Sequence, residues 1–290
     1  MRMSIIKPMC KTHYPRNQKT NYGYRFDHYE MSKSKIPKSF FGIARDHLIL
    51  EMSKVGRDSY EKYSGVKMMD KRMSRLTLDD KEIWYRESLR ENEKDTPLLM
   101  YMIYIFVCKS LDVVYSNRPI QRFWFLETVA RMPYFSYYAM LHMYETFGWW
   151  RISVDLRKQH AEEEYNETNH LLIMEILGGN RYYYDRFLAA HSAVVYYMIL
   201  MTLFFFSPNV SYKFSELLEN HAVDTYEQFI KENEKLLKRL PVPILINEKL
   251  EQNHESLYDV FLEIRNDEQE HAYSMSKLNS FITDDNGHSS

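Results

Sequence analysis

The chain has 290 residues, with 38 Lys+Arg against 40 Asp+Glu, 45% hydrophobic and 15% aromatic content, and only 8 Gly and 9 Pro. That length suits one or two domains with a sizeable core, and a formal charge of −2 argues against nucleic-acid binding through a positive field. Cys10 and Cys108 are too few for a disulfide scaffold or a Cys-ligated metal, and the glycines form neither a GxGxxG nor a GxxxxGK[ST] loop.

Residues 1–95 differ from the rest. The first 26 carry Arg2, Lys7, Lys11, Arg16, Lys19 and Arg25 and no acid, a composition that suits an organelle-targeting segment or a disordered basic tail. Residues 67–95 are densely charged and read as a solvated approach segment. The expected division is therefore an N-terminal arm over 1–95, a helical domain over 96–280 and a disordered tail over 281–290.

From Thr96 the apolar spacing is helical, and it predicts segments at 97–115, 119–146, 152–177, 183–206, 210–237 and 254–280. Pro119, Gly148, Gly178–Gly179, Pro208 and Pro241/Pro243 punctuate them. No strand-like alternation of useful length appears, so the class is all-α. Residues 97–108 and 187–206 are unusually apolar, and the second run would reach across a ~30 Å hydrocarbon layer at ~1.5 Å per residue.

The chemistry-bearing pattern is a set of four carboxylates and two histidines. Glu127 stands in RFWFLETVA and Glu219 in LLENHAVDTYE. Glu167 with His170, and Glu268 with His271, each form Glu-x-x-His within a helix. Residues three apart share a helix face, so each pair aims a carboxylate and an imidazole at one point. Two such helices and two single-Glu helices provide the ligand set of a di-iron or di-manganese carboxylate bundle. Glu251–His254 repeats the spacing, but at the ragged start of the last segment after two prolines, and is read as a decoy. His191, in the apolar segment, is read as a polar-satisfied or interfacial histidine.

RFWFLETVARMPYFSYYAMLHMYETFGWW, NETNHLLIMEILGGN, LLENHAVDTYE and LYDVFLEIRNDEQEH resemble the alternative oxidases, membrane-bound di-iron quinol oxidases, and within them the plastid terminal oxidase branch. The resemblance covers roughly residues 96–280. It implies a ferritin-like four-helix bundle with two iron ions held by Glu127, Glu167, His170, Glu219, Glu268 and His271. The implied reaction oxidises two quinols, plastoquinol or ubiquinol, and reduces dioxygen to water without proton pumping. The resemblance also implies a redox role for Tyr226 and a quinol pocket that includes Arg122, Leu126, His221 and Ala222. Asn166 and Asp267, each next to a ligand glutamate, would orient ligands by hydrogen bonding. His221 stands where mitochondrial members usually carry Glu, whereas the short 238–253 linker lacks the extra segment of land-plant plastid members. A plastid thylakoid membrane is therefore expected, with the mitochondrial inner membrane as the alternative. The other readings are a di-iron hydroxylase acting on a lipid or quinone and a non-catalytic iron-binding helical membrane protein.

The site also constrains the membrane topology. If 187–206 alone crossed a bilayer, the helices before and after it would lie on opposite sides and could not share one metal pair. The two apolar helices are therefore expected to form a monotopic face in one leaflet, a geometry suited to a lipid-soluble quinol. The resemblance further implies a homodimer.

Overall fold

The computed structural model of the chain describes residues 39–64, 73–90, 96–250 and 253–287. The basic segment 1–26, Cys10 and Glu251 lie outside the described residues. In order, the helices are α1 (Phe40–Ser64), α2 (Asp80–Ser88), α3 (Leu98–Val114), α4 (Pro119–Thr146), α5 (Val154–Ile176), α6 (Tyr183–Phe206), α7 (Pro208–Leu237), α8 (Ile244–Leu250) and α9 (Leu257–Gly287), with a single 3-10 turn at Met73–Arg75. Among the described residues there is no strand, only an isolated bridge between Pro241 and Ser256.

Local chemistry sets these boundaries. The Ser153 hydroxyl accepts from the Leu156 amide at the start of α5, and Ser207 does the same for Val210 at the start of α7. Pro119 and Pro208 occupy the first helical turn, where a missing N–H is harmless. Pro208 thus starts α7 two residues before the expected 210, and Ser207 alone connects α6 to α7. Beyond α5, Gly178 adopts φ +87°, and a Cβ on Gly179 would lie 2.3 Å from Trp124 Cβ. The paired glycines therefore let the end of α5 close against α4.

Four helices form the bundle: α4 packs along α5, and α7 along α9. Their apolar residues fall into two clusters. One gathers Phe123, Leu171, Tyr226, Phe229 and Phe261, the other Tyr134, Tyr137, Tyr212 and Met275. Along the chain, α4 and α9 run from the first cluster to the second, and α5 and α7 run the opposite way. The four ligand glutamates occupy the level between the two apolar layers. A third cluster joins Met100, Tyr104 and Cys108 of α3 to Leu200 of α6 and to Phe214 and Leu217 of α7.

Two expectations change. Residues 73–90 are not a solvated approach: Met73, Leu76, Ile83 and Glu87 are buried. Asn233 of α7 pairs with the Thr77 backbone in both directions, at 3.1 and 2.8 Å. Their high charge content hid the Ile83/Glu87 stripe, one helical turn apart, that faces the bundle. The disordered tail expected from 281 is helical as far as Gly287, because no proline or glycine interrupts α9 before that point.

Candidate metal centre

Each bundle helix contributes one carboxylate at the same level: Glu127 from α4, Glu167 from α5, Glu219 from α7 and Glu268 from α9. His170 and His271 project from the turns after Glu167 and Glu268. All six side chains are buried. Their ligand atoms form two groups, each within 4.8 Å: Glu127, Glu167, His170 and Glu268, and then Glu167, Glu219, Glu268 and His271. Glu167 and Glu268 belong to both groups. That is the geometry of two adjacent metal positions bridged by two carboxylates.

Three observations test whether cations fit. His170 Nδ1 lies 3.2 Å from Glu268 Oε1 and 3.7 Å from Glu127 Oε2, and His271 Nδ1 lies 2.7 Å from Glu167 Oε1. Yet these atoms, with Glu167 Oε2, make no hydrogen bonds although they are buried. Buried polar atoms are almost always satisfied, so convergent orphans point to a missing partner. Burial, followed by the neighbouring carboxylates of Glu268 and Glu127, pushes the Glu167 carboxyl well above the usual range. Burial, Glu268 and Glu167 do the same to Glu219. Positive charge between these groups would relieve both effects. Finally, carboxylate oxygens with one imidazole per group form the hard donor set that suits iron or manganese. The residues fit a metal pair.

The surroundings orient the ligands. His170 Nε2–H donates to Asp267 Oδ2 at 3.0 Å, which turns Nδ1 inward. Burial opposes a charge on His170, but Asp267, Glu127 and Glu268 outweigh it and raise its pKa well above the usual histidine value. Tyr226 donates to Glu127 Oε1, and its ring stacks on Phe123 at 4.2 Å. Tyr134, which carries no sequence signal for this role, donates to Glu219 Oε1 at 3.0 Å. Asn166 lies in a small cleft outside His170, with Asn169, Asp267, His254 and Glu263. His254 is ion-paired to Glu263 at 2.6 Å and belongs to neither ligand group. His191 bonds its own helix, with Nδ1 2.7 Å from the Phe187 carbonyl.

Two of the residues expected to contact quinol, Arg122 and His221, are linked through Asp112 and Trp84. Arg122 is 2% exposed, with Nη1 2.6 Å from Asp80 and Nη2 2.9 Å from Asp112. Asp112 also accepts from Trp84 Nε1 at 2.8 Å, and the Trp84 ring lies 5.2 Å from that of His221. Leu126 and Ala222 are half-buried nearby in sequence. Asp80, Trp84, Asp112 and Tyr104 escaped sequence reasoning because they stand in a charged segment and an apolar run with no motif spacing.

An alternative oxidase family model matches residues 29–280, so the likeness extends upstream through α1 and α2. The chain belongs to the alternative oxidase family. Among alternative oxidase relatives, it is 44% identical over 189 residues to the Arabidopsis thaliana protein named ubiquinol oxidase 4, chloroplastic/chromoplastic, covering 58% of this chain and 54% of the relative. It is 30% identical over 168 residues to the Nicotiana tabacum protein named ubiquinol oxidase 2, mitochondrial, covering 55% and 54%. The chain thus spans about half the length of the curated relatives it matches. No solved structure matches it.

Proposed function

We propose that this protein is a quinol:oxygen oxidoreductase that oxidises two quinols and reduces dioxygen to two waters without pumping protons. The observation that carries this reading is the pair of buried ligand groups sharing Glu167 and Glu268. Two irons held there would supply the one-electron redox chemistry that links a two-electron donor to a four-electron acceptor. Two quinols release four electrons and four protons, which balances one dioxygen going to two waters.

Glu167 and Glu268 would bridge, while Glu127 with His170 and Glu219 with His271 would complete the two ends. Asp267 holds His170 in its inward orientation, and the flanking apolar layers exclude bulk water. The Tyr226 hydroxyl, donating to Glu127, stands between the candidate ligands and the Phe123/Phe229/Phe261 aromatic group, with its proton held at Glu127 Oε1, and would serve the redox role that the family resemblance implies. Arg122, Leu126, His221 and Ala222 would contact the quinol. The Arabidopsis relative's name supports a plastid location and the tobacco relative's name keeps a mitochondrial one as the alternative; both names print ubiquinol, and plastoquinol rests on the family resemblance alone. A homodimer attached to one leaflet, as the family resemblance implies, belongs to the same reading.

The test is oxygen uptake by purified full-length chain given decyl-plastoquinol or decyl-ubiquinol, with and without iron. Iron-dependent uptake of one dioxygen per two quinols, with unlabelled quinone as product, supports the oxidase. Transfer of an oxygen atom from labelled dioxygen into the organic product overturns it.

A further inference from the structure

Glu87 is a buried carboxylate that nothing above uses. It stands at the end of α2, is 2% exposed and meets groups from two other helices. His221 Nδ1–H, from α7, donates to Glu87 Oε2 at 3.0 Å, and the Tyr104 hydroxyl, from α3, donates to Glu87 Oε1. Tyr104 Oη also lies 3.3 Å from His221 Nδ1. One ring nitrogen of His221 is therefore fully engaged. The other, Nε2, is buried without an oxygen or nitrogen partner, and the buried Cys108 thiol beside the ring is the polar group that faces it. A thiol is a weak partner for a buried ring nitrogen that is otherwise fixed, so a ligand oxygen there would complete the set.

The surroundings define that ligand. Among the described residues His221 belongs to neither group able to hold a metal. The rings of Trp84 and Tyr104 lie 5.2 and 6.0 Å from the imidazole, and flat aromatic walls suit a flat aromatic ligand bearing an oxygen. We propose that Glu87 is a positioning residue for the quinol: it holds His221 so that Nε2 is hydrogen-bonded to a ring oxygen, with Trp84 as an aromatic wall. A carboxylate that fixes the far nitrogen of an imidazole sets the direction of the near one, as it does for ligand histidines. Helix α2 is thereby part of the substrate site. This inference rests on the quinol oxidase reading.

The experiment uses the full-length chain with Glu87→Gln, Glu87→Asp, Tyr104→Phe and, as a surface control on the same helix, Glu82→Gln. Steady-state oxidation of decyl-plastoquinol or decyl-ubiquinol, whichever the wild type turns over, is paired with iron content. It is also paired with quenching of tryptophan fluorescence by the matching decyl-quinone in iron-free protein. Glu87→Gln should raise KM and the quenching Kd about tenfold, with kcat within about twofold and iron unchanged. Glu87→Asp should recover part of that loss, and Tyr104→Phe, which removes only the hydroxyl that steadies Glu87, should shift both constants about threefold. Glu82→Gln should match wild type. Wild-type KM and quenching in Glu87→Gln would overturn the proposal, as would a loss of kcat and iron with unchanged quinone affinity. If Glu87→Gln does not fold, wild-type quinone affinity in Tyr104→Phe overturns it. A wild-type chain that neither oxidises quinol nor binds quinone defeats the functional reading first. A wild-type chain that does both, with unaffected variants, defeats only the role of Glu87.

Discussion

At the residue scale, the shared membership of Glu167 and Glu268 separates the six ligands into two kinds. Removing Glu167 or Glu268, which would bridge in the proposed centre, takes an oxygen donor from both groups, whereas removing Glu127 or Glu219 touches one. Glu167→Ala and Glu268→Ala should therefore lose both metals, and Glu127→Ala should keep measurable iron, read as metal per chain by elemental analysis. Equal losses in all three would contradict the bridging assignment. Tyr226→Phe should leave iron content and folding intact, since only one hydroxyl is lost, while turnover falls by about tenfold or more. Normal turnover would reduce Tyr226 to its stacking on Phe123. The convergence of Glu167 with His170 and of Glu268 with His271 was legible in sequence because Glu-x-x-His expresses a rule internal to one helix. The Glu87–His221 pair was not, because its partners stand 134 residues apart and only tertiary packing joins them.

Between elements, the unexpected docking is that of the N-terminal helices. Apolar periodicity gave α3 to α7 and the start of α9 to within a few residues, because those helices bury a continuous stripe, but it ended α9 at 280 where the helix runs to Gly287. It did not give α1, whose attachment to the bundle is largely ionic, or α2, whose buried Ile83 and Glu87 stand in a densely charged segment. Glu51 of α1 accepts from Arg186 Nε and Nη2 of α6 at 3.0 and 2.8 Å, and Lys54 lies 3.3 Å away. Burial alone would raise the Glu51 pKa, but Arg186 and Lys54 outweigh it and hold the carboxyl below the usual range. With a depressed folded-state pKa, the contribution of this pair is present above the unfolded value of about 4.5 and is lost as pH falls through the folded one. Hydrogen exchange should therefore show α1 opening on acidification before the bundle does. Arg186→Ala should open it at neutral pH, leaving a buried carboxylate short of a partner at a cost of about 1–3 kcal/mol. Unchanged protection of α1 in that variant would show that its apolar contacts suffice.

For the molecule as a whole, the exposed apolar surface is what supports the proposed membrane attachment. Over the most apolar 18 residues of α6 only 22% are buried, so it is not packed as a core helix. Its exposed residues include Val194, Val195, Met198 and Phe206, and α3 exposes Leu98, Leu99, Met102 and Phe106. The shared cluster around Leu200, Tyr104 and Phe214 binds both helices to the first half of α7. A transmembrane α6 would separate Glu167 on α5 from Glu219 on α7, although both lie in one ligand group. The proposed arrangement is therefore two helices lying in one leaflet. Each would bury a few hundred Å² of apolar surface at ~25 cal/mol per Å², which gives several kcal/mol before ordering terms. Ionic attachment, at a formal charge of −2, would be weak and screened by salt. High salt should leave the protein on vesicles and detergent should release it. Met198→Ser with Phe206→Ser should weaken flotation with vesicles at unchanged iron content, whereas Phe204 is a core residue and its replacement should instead lower stability. Release by salt alone, or tags at the two ends of α6 reached from opposite faces of a sealed vesicle, would refute the one-leaflet geometry.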